Sequence, residues 1–256
     1  MKKEQIAAQL YTVREFTKTP SDVAATLKKI RKIGYRAVQI SGLGPIDYRE
    51  LAKILDGEGL TVCASHDGGD EVLDTPEKVV ERLQILNCRY TAYPWPHTAP
   101  ATAADYRKLA RRLNRAAEVF ASAGIVFCYH NHAAEFVKFK DGKLGLDIIY
   151  ENTDPKKFMG EIDTYWVQFG GGDCVEWCRK LHKRLPLLHL KDYGIWKGAV
   201  SMMEIGYGNL NWSKIIPAAE KSGCKWFIVE EDVCRFDPFK SLKMSFDYLT
   251  KNHCES

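Results

Sequence analysis

Apolar, strand-like runs alternate with amphipathic helical segments along the whole sequence, and this alternation predicts an α/β fold. Strict alternation implies parallel strands joined by right-handed crossovers. Eight such units close into a (β/α)8 barrel, also called a TIM barrel. A doubly wound open sheet has the same alternation, but no Gly-rich phosphate-binding turn follows the first strand. We therefore predict a parallel eight-stranded barrel that forms one domain over residues 1–256.

The individual elements follow from spacing and turn residues. The segments TLKKIRKIG, LAKILDGEG and LNRAAEVFASAG carry apolar residues at helical spacing. Four glycines stand where helices would end in a left-handed cap: Gly34, Gly59, Gly124 and Gly223. The predicted strands, in chain order, are QIAAQLYTV, RAVQIS, LTVCASH, RYTAYPW, IVFCYHNH, FMGEIDTYW, LPLLHLKD and WFIVEED.

Two segments depart from the repeated unit. After the fifth strand, EFVKFKDGKLGLD predicts an extra hairpin that turns at Asp141-Gly142 and forms part of a rim. After the seventh strand, DYGIWKGAVSMMEIGYGNLNW predicts a long loop, which over the mouth of a barrel would act as a substrate cover.

Composition narrows the class of protein. The net charge of +4 comes from 37 basic and 33 acidic residues spread along the chain, so no basic arm favours a nucleic acid partner. No run approaches the roughly 18 apolar residues that a membrane helix needs, and the N-terminus lacks the apolar stretch of a signal peptide. The eight scattered cysteines fit reduced thiols. We expect a cytoplasmic enzyme with a small-molecule substrate; a homo-oligomer is compatible with the sequence.

Residues with strong acid, base and ligand chemistry follow several strands. In a barrel these strand ends converge on one mouth. His189 and Glu230 follow the apolar runs LPLL and WFIV, where an unpaired charge would be costly. A divalent metal relieves that cost by gathering carboxylates and an imidazole. The alternative is a polar rim of helix caps, a role open to Asp192 and Asp232.

The sequence resembles the xylose-isomerase-like barrel superfamily, in the branch of sugar phosphate isomerases/epimerases. The similarity rests on QLYTVR, YHNHAAEF, IDTYWV, LHLKD, EIGYGNLNW and IVEED, in this order at the strand ends. The resemblance implies a divalent metal held by strands five to eight, with Asp163, His189 and Glu230 on three of the ligand positions. For the fifth strand we choose Glu135 and keep His132 as the substitute. Such an oxygen-rich set suits Mn²⁺, Mg²⁺ or Co²⁺, and Zn²⁺ stays open.

The implied activity is that of a sugar isomerase or epimerase, which removes a proton beside a carbonyl to form an enediolate. The expected catalytic residues are Glu135, Glu230, His66 and Lys191. The expected substrate-binding residues are His130, His132, Trp166 and Trp196. Trp166 and Lys191 replace the His and Arg of ketose epimerases, so the sugar contacts of those enzymes do not transfer.

Three rival functions remain. The first is a metal-dependent lyase or hydrolase of keto-sugars, such as an inositol-type dehydratase or an enzyme that cleaves 3-keto-glycosides. In that rival, the HisAsnHis segment of the fifth strand supplies the acid for the leaving group. The second is a phosphodiesterase of the endonuclease IV kind, which the near-neutral charge pattern disfavours. The third is a sugar-binding barrel without catalysis or metal.

Overall fold

The computed structural model describes residues 1–95 and 100–254 and confirms the predicted barrel. Eight parallel strands close in the order β1-β2-β3-β4-β5-β6-β7-β10, while β8 and β9 form a separate antiparallel pair. The strands are β1 (Ile6–Gln9), β2 (Ala37–Ile40), β3 (Thr61–His66), β4 (Tyr90–Tyr93), β5 (Val126–His130), β6 (Phe158–Asp163), β7 (Leu187–Leu190), β8 (Asp192–Trp196), β9 (Ala199–Met203) and β10 (Trp226–Val229). Each barrel strand falls inside one of the eight predicted apolar runs.

In the described part of the chain, ten α-helices lie between these strands or follow the last one. Their caps follow the sequence signals: Thr19 and Thr102 each begin a helix with a capping box. The four glycines predicted to end helices have φ angles between +63° and +128°, which confirms the left-handed turns. The helices are α1 (Pro20–Ile33), α2 (Tyr48–Glu58), α3 (Gly69–Asp74), α4 (Pro76–Ile85), α5 (Ala103–Ser122), α6 (Gly145–Glu151), α7 (Thr164–Phe169), α8 (Cys174–Lys180), α9 (Trp212–Lys221) and α10 (Pro238–Asn252).

The two rim segments differ in structure from each other. The segment after β5 turns at Gly142, as predicted, but carries a single antiparallel bridge between Lys138 and Leu144. The fuller hairpin, β8–β9, lies after β7, where we predicted an open loop. Its turn residues Lys197 and Gly198 both have positive φ, as a type I′ hairpin turn requires.

Side chains alternate between two layers of the barrel. Ile6, Val38, Phe127 and Leu188 pack in the larger core with residues of the helices. The neighbouring strand positions form a second, smaller core of small and aliphatic side chains: Ala7, Ala37, Cys63, Ala64, Ala92, Cys128, Leu187 and Ile228. Alternation places the residues two positions further along β2, β5, β6, β7 and β10 above this inner core, at the carboxyl end of the barrel.

The larger core, which contains Phe127, gives a direct test of barrel stability. Phe127 is fully buried, with its ring centroid 4.8 Å from that of Phe120 and 5.0 Å from that of Phe158. We expect Phe127→Ala to lower the free energy of unfolding by about 3–5 kcal/mol, because it leaves a cavity between packed rings. Urea denaturation would measure this loss. Val233→Ala, at a side chain 70% exposed, should stay within about 0.5 kcal/mol of the wild type; equal losses would contradict the assigned core.

Within the described ranges, no helix combines the length and apolar character needed to span a bilayer.

Candidate functional site

Four side chains from neighbouring strands converge at the carboxyl end of the barrel: His130 of β5, Asp163 of β6, His189 of β7 and Glu230 after β10. We call them the mouth cluster. All four are buried, and each offers a donor atom within 4.8 Å of the others. His189 Nδ1 lies 2.8 Å from Glu230 Oε2 and 3.9 Å from Asp163 Oδ2, while His130 Nε2 lies 4.0 Å from Asp163 Oδ2.

The register of the strands aligns this cluster. Asp163 pairs with His189 across β6 and β7, and Ile228 of β10 pairs with His189 from the other side. Glu230, two residues beyond Ile228, therefore points to the same side of the strand as the inner core. Asp163 also begins α7, because its Oδ1 accepts the amide proton of Trp166 at 3.0 Å. That cap fixes the carboxylate and leaves Oδ2 facing the cluster.

A buried lysine, Lys191, lies among the carboxylates at the mouth and neutralises part of their negative charge. Lys191 Nζ lies 2.9 Å from Asp163 Oδ2, 2.8 Å from Glu230 Oε2 and 3.1 Å from Asp232 Oδ2. Burial lowers the pKa of Lys191, but the three carboxylates outweigh burial and raise it well above its ordinary value. Lys191 therefore keeps its positive charge, which suits it to neutralise these carboxylates and not to remove a proton.

The pKa shifts in the cluster reflect burial and the attraction between opposite charges. Burial raises the pKa of Asp163 to about 6, although Lys191 opposes the shift. Burial lowers the pKa of His189, but Glu161 and Glu230 together raise it to about 10. A buried set of carboxylates and imidazoles therefore takes up positive charge readily.

Sequence reasoning missed two residues directly below the cluster, Glu161 and Gln39. Glu161 is fully buried, and its Oε2 lies 2.5 Å from His66 Nε2 and 3.3 Å from His130 Nδ1. Gln39 Nε2 donates to Glu161 Oε1 at 2.7 Å. The signal was available: Glu161 precedes Asp163 by two residues in one strand, so both must face the same side.

Glu135 lies outside the mouth cluster, contrary to its choice as the fifth-strand ligand. It sits in a 3-10 turn over Ala134–Phe136 and is buried. Its Oε1 accepts a hydrogen bond from the Tyr129 hydroxyl at 2.8 Å, and its Oε2 accepts one from the His132 amide at 2.9 Å. The strand does not bend enough to bring this carboxylate back to the mouth. His130 contributes the donor from β5 instead.

A cavity of about 470 Å³ opens over the cluster. Its lining includes His66, His130, His132 and Glu230, together with Trp95, whose ring lies 4.6 Å from that of His132. Trp166 stands beside this wall, 5.6 Å from the His132 ring and 5.8 Å from Lys191 Nζ. The described lining contains no Lys or Arg side chain: Tyr11, Ser41, His66, Asp67, Gly68, Pro94, Trp95, His130, His132, Glu230 and Asp232.

Trp196, expected to bind substrate, does not line this cavity. It lies on β8 with 43% of its surface exposed. Its ring packs against the Arg235 guanidinium at 4.8 Å, and its contact with substrate stays a prediction.

Comparisons with known proteins agree with this fold. Residues 27–251 match the model of the xylose isomerase-like TIM barrel family. An inosose dehydratase of Geobacillus kaustophilus is 26% identical over 65% of this chain, which spans only 60% of that enzyme. The rhizopine catabolism protein MocC of Rhizobium meliloti is 22% identical over 88% of this chain and 80% of its own length.

A solved sugar phosphate isomerase/epimerase from Parabacteroides distasonis superposes with a TM-score of 0.82 at 25% identity. The superposition covers 99% of this chain and 96% of that one. The family match extends from α1 to α10 and includes every residue of the mouth cluster. The chain therefore belongs to the xylose isomerase-like TIM barrel family.

Proposed function

We propose that this protein is a metal-dependent isomerase or epimerase of a keto-sugar or a related cyclic ketone, acting through an enediolate. One observation carries the proposal: four buried nitrogen and oxygen donors meet below an open cavity at the mouth of a (β/α)8 barrel. The isomerase/epimerase name of the superposed P. distasonis protein supports the same reaction class.

The donor set fits a divalent metal. Two imidazoles from His130 and His189 and two carboxylates from Asp163 and Glu230 lie within 4.8 Å of one another. Two nitrogen donors favour Mn²⁺, Co²⁺ or Zn²⁺ over Mg²⁺, which prefers oxygen ligands. This set has one imidazole more and one carboxylate fewer than the set that includes Glu135. When bound, the metal would neutralise the negative charge that develops on substrate oxygens as the proton leaves.

The remaining roles follow from position. Glu230 lines the cavity with one oxygen held by His189 and Lys191, so its carboxylate is placed to accept the proton from carbon. His66 also lines the cavity and is a second group for proton transfer. Lys191 is buried and is not part of the cavity lining, so its fixed charge holds the carboxylates of Asp163, Glu230 and Asp232 in place. Trp95 offers an apolar wall to a ring.

The substrate we propose is uncharged. Asp67, Glu230 and Asp232 contribute carboxylates to the described cavity lining, which holds no Lys or Arg. A phosphate group would need cationic or backbone N–H partners, and Lys191 is already surrounded by three carboxylates. The same acidic lining disfavours a phosphodiester substrate.

Dehydration is the second candidate, favoured by the similarity to inosose dehydratase. It uses the same proton removal, followed by loss of a hydroxyl from the next carbon as water. His132 lines the cavity near that hydroxyl, but burial lowers its pKa to about 3, so it would act there as a neutral hydrogen-bond partner and not as an imidazolium acid. The two reactions therefore differ in the fate of one hydroxyl group.

Incubation in D₂O separates the candidates. We expect the metal-loaded protein to introduce deuterium beside the carbonyl of an unphosphorylated ketohexose or keto-inositol. NMR and mass spectrometry would detect the incorporated deuterium. Deuterium without loss of water supports the isomerase, and loss of water supports the dehydratase. No exchange with any ketose or keto-inositol tested would contradict both. Faster exchange with the phosphorylated ketohexose would contradict the uncharged substrate.

A further inference from the structure

Glu161 touches three imidazoles but is shut off from the substrate cavity. Its exposed fraction is zero, and it is not part of the cavity lining. Its carboxylate lies 2.5 Å from His66 Nε2, 3.3 Å from His130 Nδ1 and 3.5 Å from His189 Nε2. A buried carboxylate in this position does not reach the substrate, so it acts through the groups that it contacts.

The rings of His130 and His189 are turned in a consistent way. His130 directs Nδ1 at Glu161 and Nε2 towards Asp163, at 4.0 Å. His189 directs Nε2 at Gln39 and Glu161, and Nδ1 at Glu230. In each ring, one nitrogen therefore faces the buried carboxylate and the other faces the mouth cluster.

Gln39 fixes which nitrogen of His189 carries the proton. Because a carboxylate oxygen can only accept, the Gln39 group that lies 2.7 Å from Glu161 must be its amide NH₂. Gln39 Oε1 is then the atom that lies 2.6 Å from His189 Nε2, and it also accepts from Gln9 Nε2 at 2.8 Å. His189 must donate from Nε2, so Nδ1 is the nitrogen that faces the mouth cluster. Without a metal, Nδ1 also carries a proton, because it lies 2.8 Å from the carboxylate oxygen Glu230 Oε2, and a metal ion would replace that proton.

We propose that Glu161 is a positioning residue for the two histidines of the mouth cluster. It fixes Gln39, which holds the Nε2–H of His189 on the inner side, and its negative charge, 3.3 Å from His130 Nδ1, draws the N–H of that ring to the same side. His130 Nε2 and His189 Nδ1 are thereby the nitrogens that face the metal. Metal-binding histidines commonly donate their other N–H to a carboxylate or carbonyl, and loss of that partner typically weakens metal binding about 10–100-fold. The inference rests on the metal site of the proposed function and extends it to residues that touch neither metal nor substrate.

A competing arrangement uses the same atoms. His66, His130, Glu161 and His189 offer donors within 4.8 Å of one another, so this set could itself hold an ion. Glu161 would then be a ligand, and the protein would bind two ions or hold its one ion deeper in the barrel. The hydrogen bonds from Gln39 and His66 to Glu161 favour the positioning role, since both oxygens of the carboxylate are already engaged.

The test measures metal affinity and proton position in the full chain. We expect Glu161→Gln to bind one Zn²⁺ per chain with a dissociation constant raised about 10–100-fold in a chelator competition. In the metal-free wild type, ¹⁵N NMR should show a proton on His189 Nε2 and on His130 Nδ1, and the metal-free variant should lose this preference. Glu231→Gln, which alters a different buried carboxylate next to Glu230 in the sequence, should leave the zinc affinity and the positions of the histidine protons unchanged.

Each outcome separates the hypotheses. An affinity for Zn²⁺ in Glu161→Gln within about twofold of the wild type would overturn the inference, as would two ions per chain. A wild type that binds no metal would instead defeat the proposed function. If Glu161→Gln does not fold, Gln39→Met removes the acceptor of His189 while keeping a similar volume, and it should weaken zinc binding about tenfold or more.

Discussion

Glu230→Gln is expected to abolish binding of the proposed metal and, with it, nearly all of the proposed activity. The change replaces a charged donor of the mouth cluster by a neutral amide in a buried site. It also leaves Lys191 and His189 short of a negative partner. Because Glu230 is proposed as both ligand and base, we expect metal affinity to fall by more than about 100-fold, beyond the range seen for outer partners. Elemental analysis after dialysis and the D₂O exchange rate would measure both effects.

The neighbouring residue supplies a matched control. Glu231 is buried like Glu230 but lies on the opposite side of the chain, where its amide is bonded to Thr12. Glu231→Gln should keep the metal, and loss of metal in both variants would refute the assigned cluster.

A second comparison concerns β5: His130→Ala should weaken metal binding, whereas Glu135→Gln should not. The reverse result would restore Glu135 as the ligand.

Asp192→Ala is expected to produce the largest loss of stability at the barrel mouth. The carboxylate of Asp192 ties the β8–β9 hairpin and the loop that follows to the start of α9. It accepts hydrogen bonds from five groups: the amides of Tyr193, Gly206, Gly208 and Leu210 and the indole N–H of Trp212. Removing one acceptor leaves all five donors without it, so the free energy of unfolding should fall by about 3–5 kcal/mol. Urea denaturation would measure the loss.

A second variant tests whether the loss of a helix cap alone would explain the lower free energy of unfolding of Asp192→Ala. Asp237 also accepts two backbone amides, from Phe239 and Lys240, at the exposed start of α10. Asp237→Ala should therefore cost only about 1 kcal/mol. Hydrogen exchange should rise across residues 204–210 in Asp192→Ala alone. Equal losses in the two variants would show that the loop is not held by this carboxylate.

The barrel and the side of each strand that carries chemistry could be predicted from the sequence. Alternation of strands and helices, with turn glycines between them, leaves parallel pairing as the simplest way to bury every apolar run. The two-residue period of a strand then fixes which side chains share a face. Asp163, His189 and Glu230 could be selected on these grounds because each follows an apolar run at the same end of the barrel.

The fifth-strand position depended on tertiary structure. A resemblance suggested Glu135, but the distance of its carboxylate from the mouth depends on how residues 131–136 leave the barrel. In the structure they form a turn that gives Glu135 two local donors, Tyr129 and the His132 amide. Local hydrogen bonds satisfy the carboxylate there, so nothing draws it to the mouth.

The buried support beneath the metal ligands was also beyond pattern reasoning. Glu161 and Gln39 are 122 residues apart, and only closure of the barrel brings them into contact. Local periodicity indicated the fold, because side-chain alternation is a short-range property. Strand-end position together with the family resemblance indicated three of the four proposed metal ligands. Contacts between strands decided the fourth ligand and the orientation of the histidine rings, because hydrogen-bond partners are chosen in three dimensions.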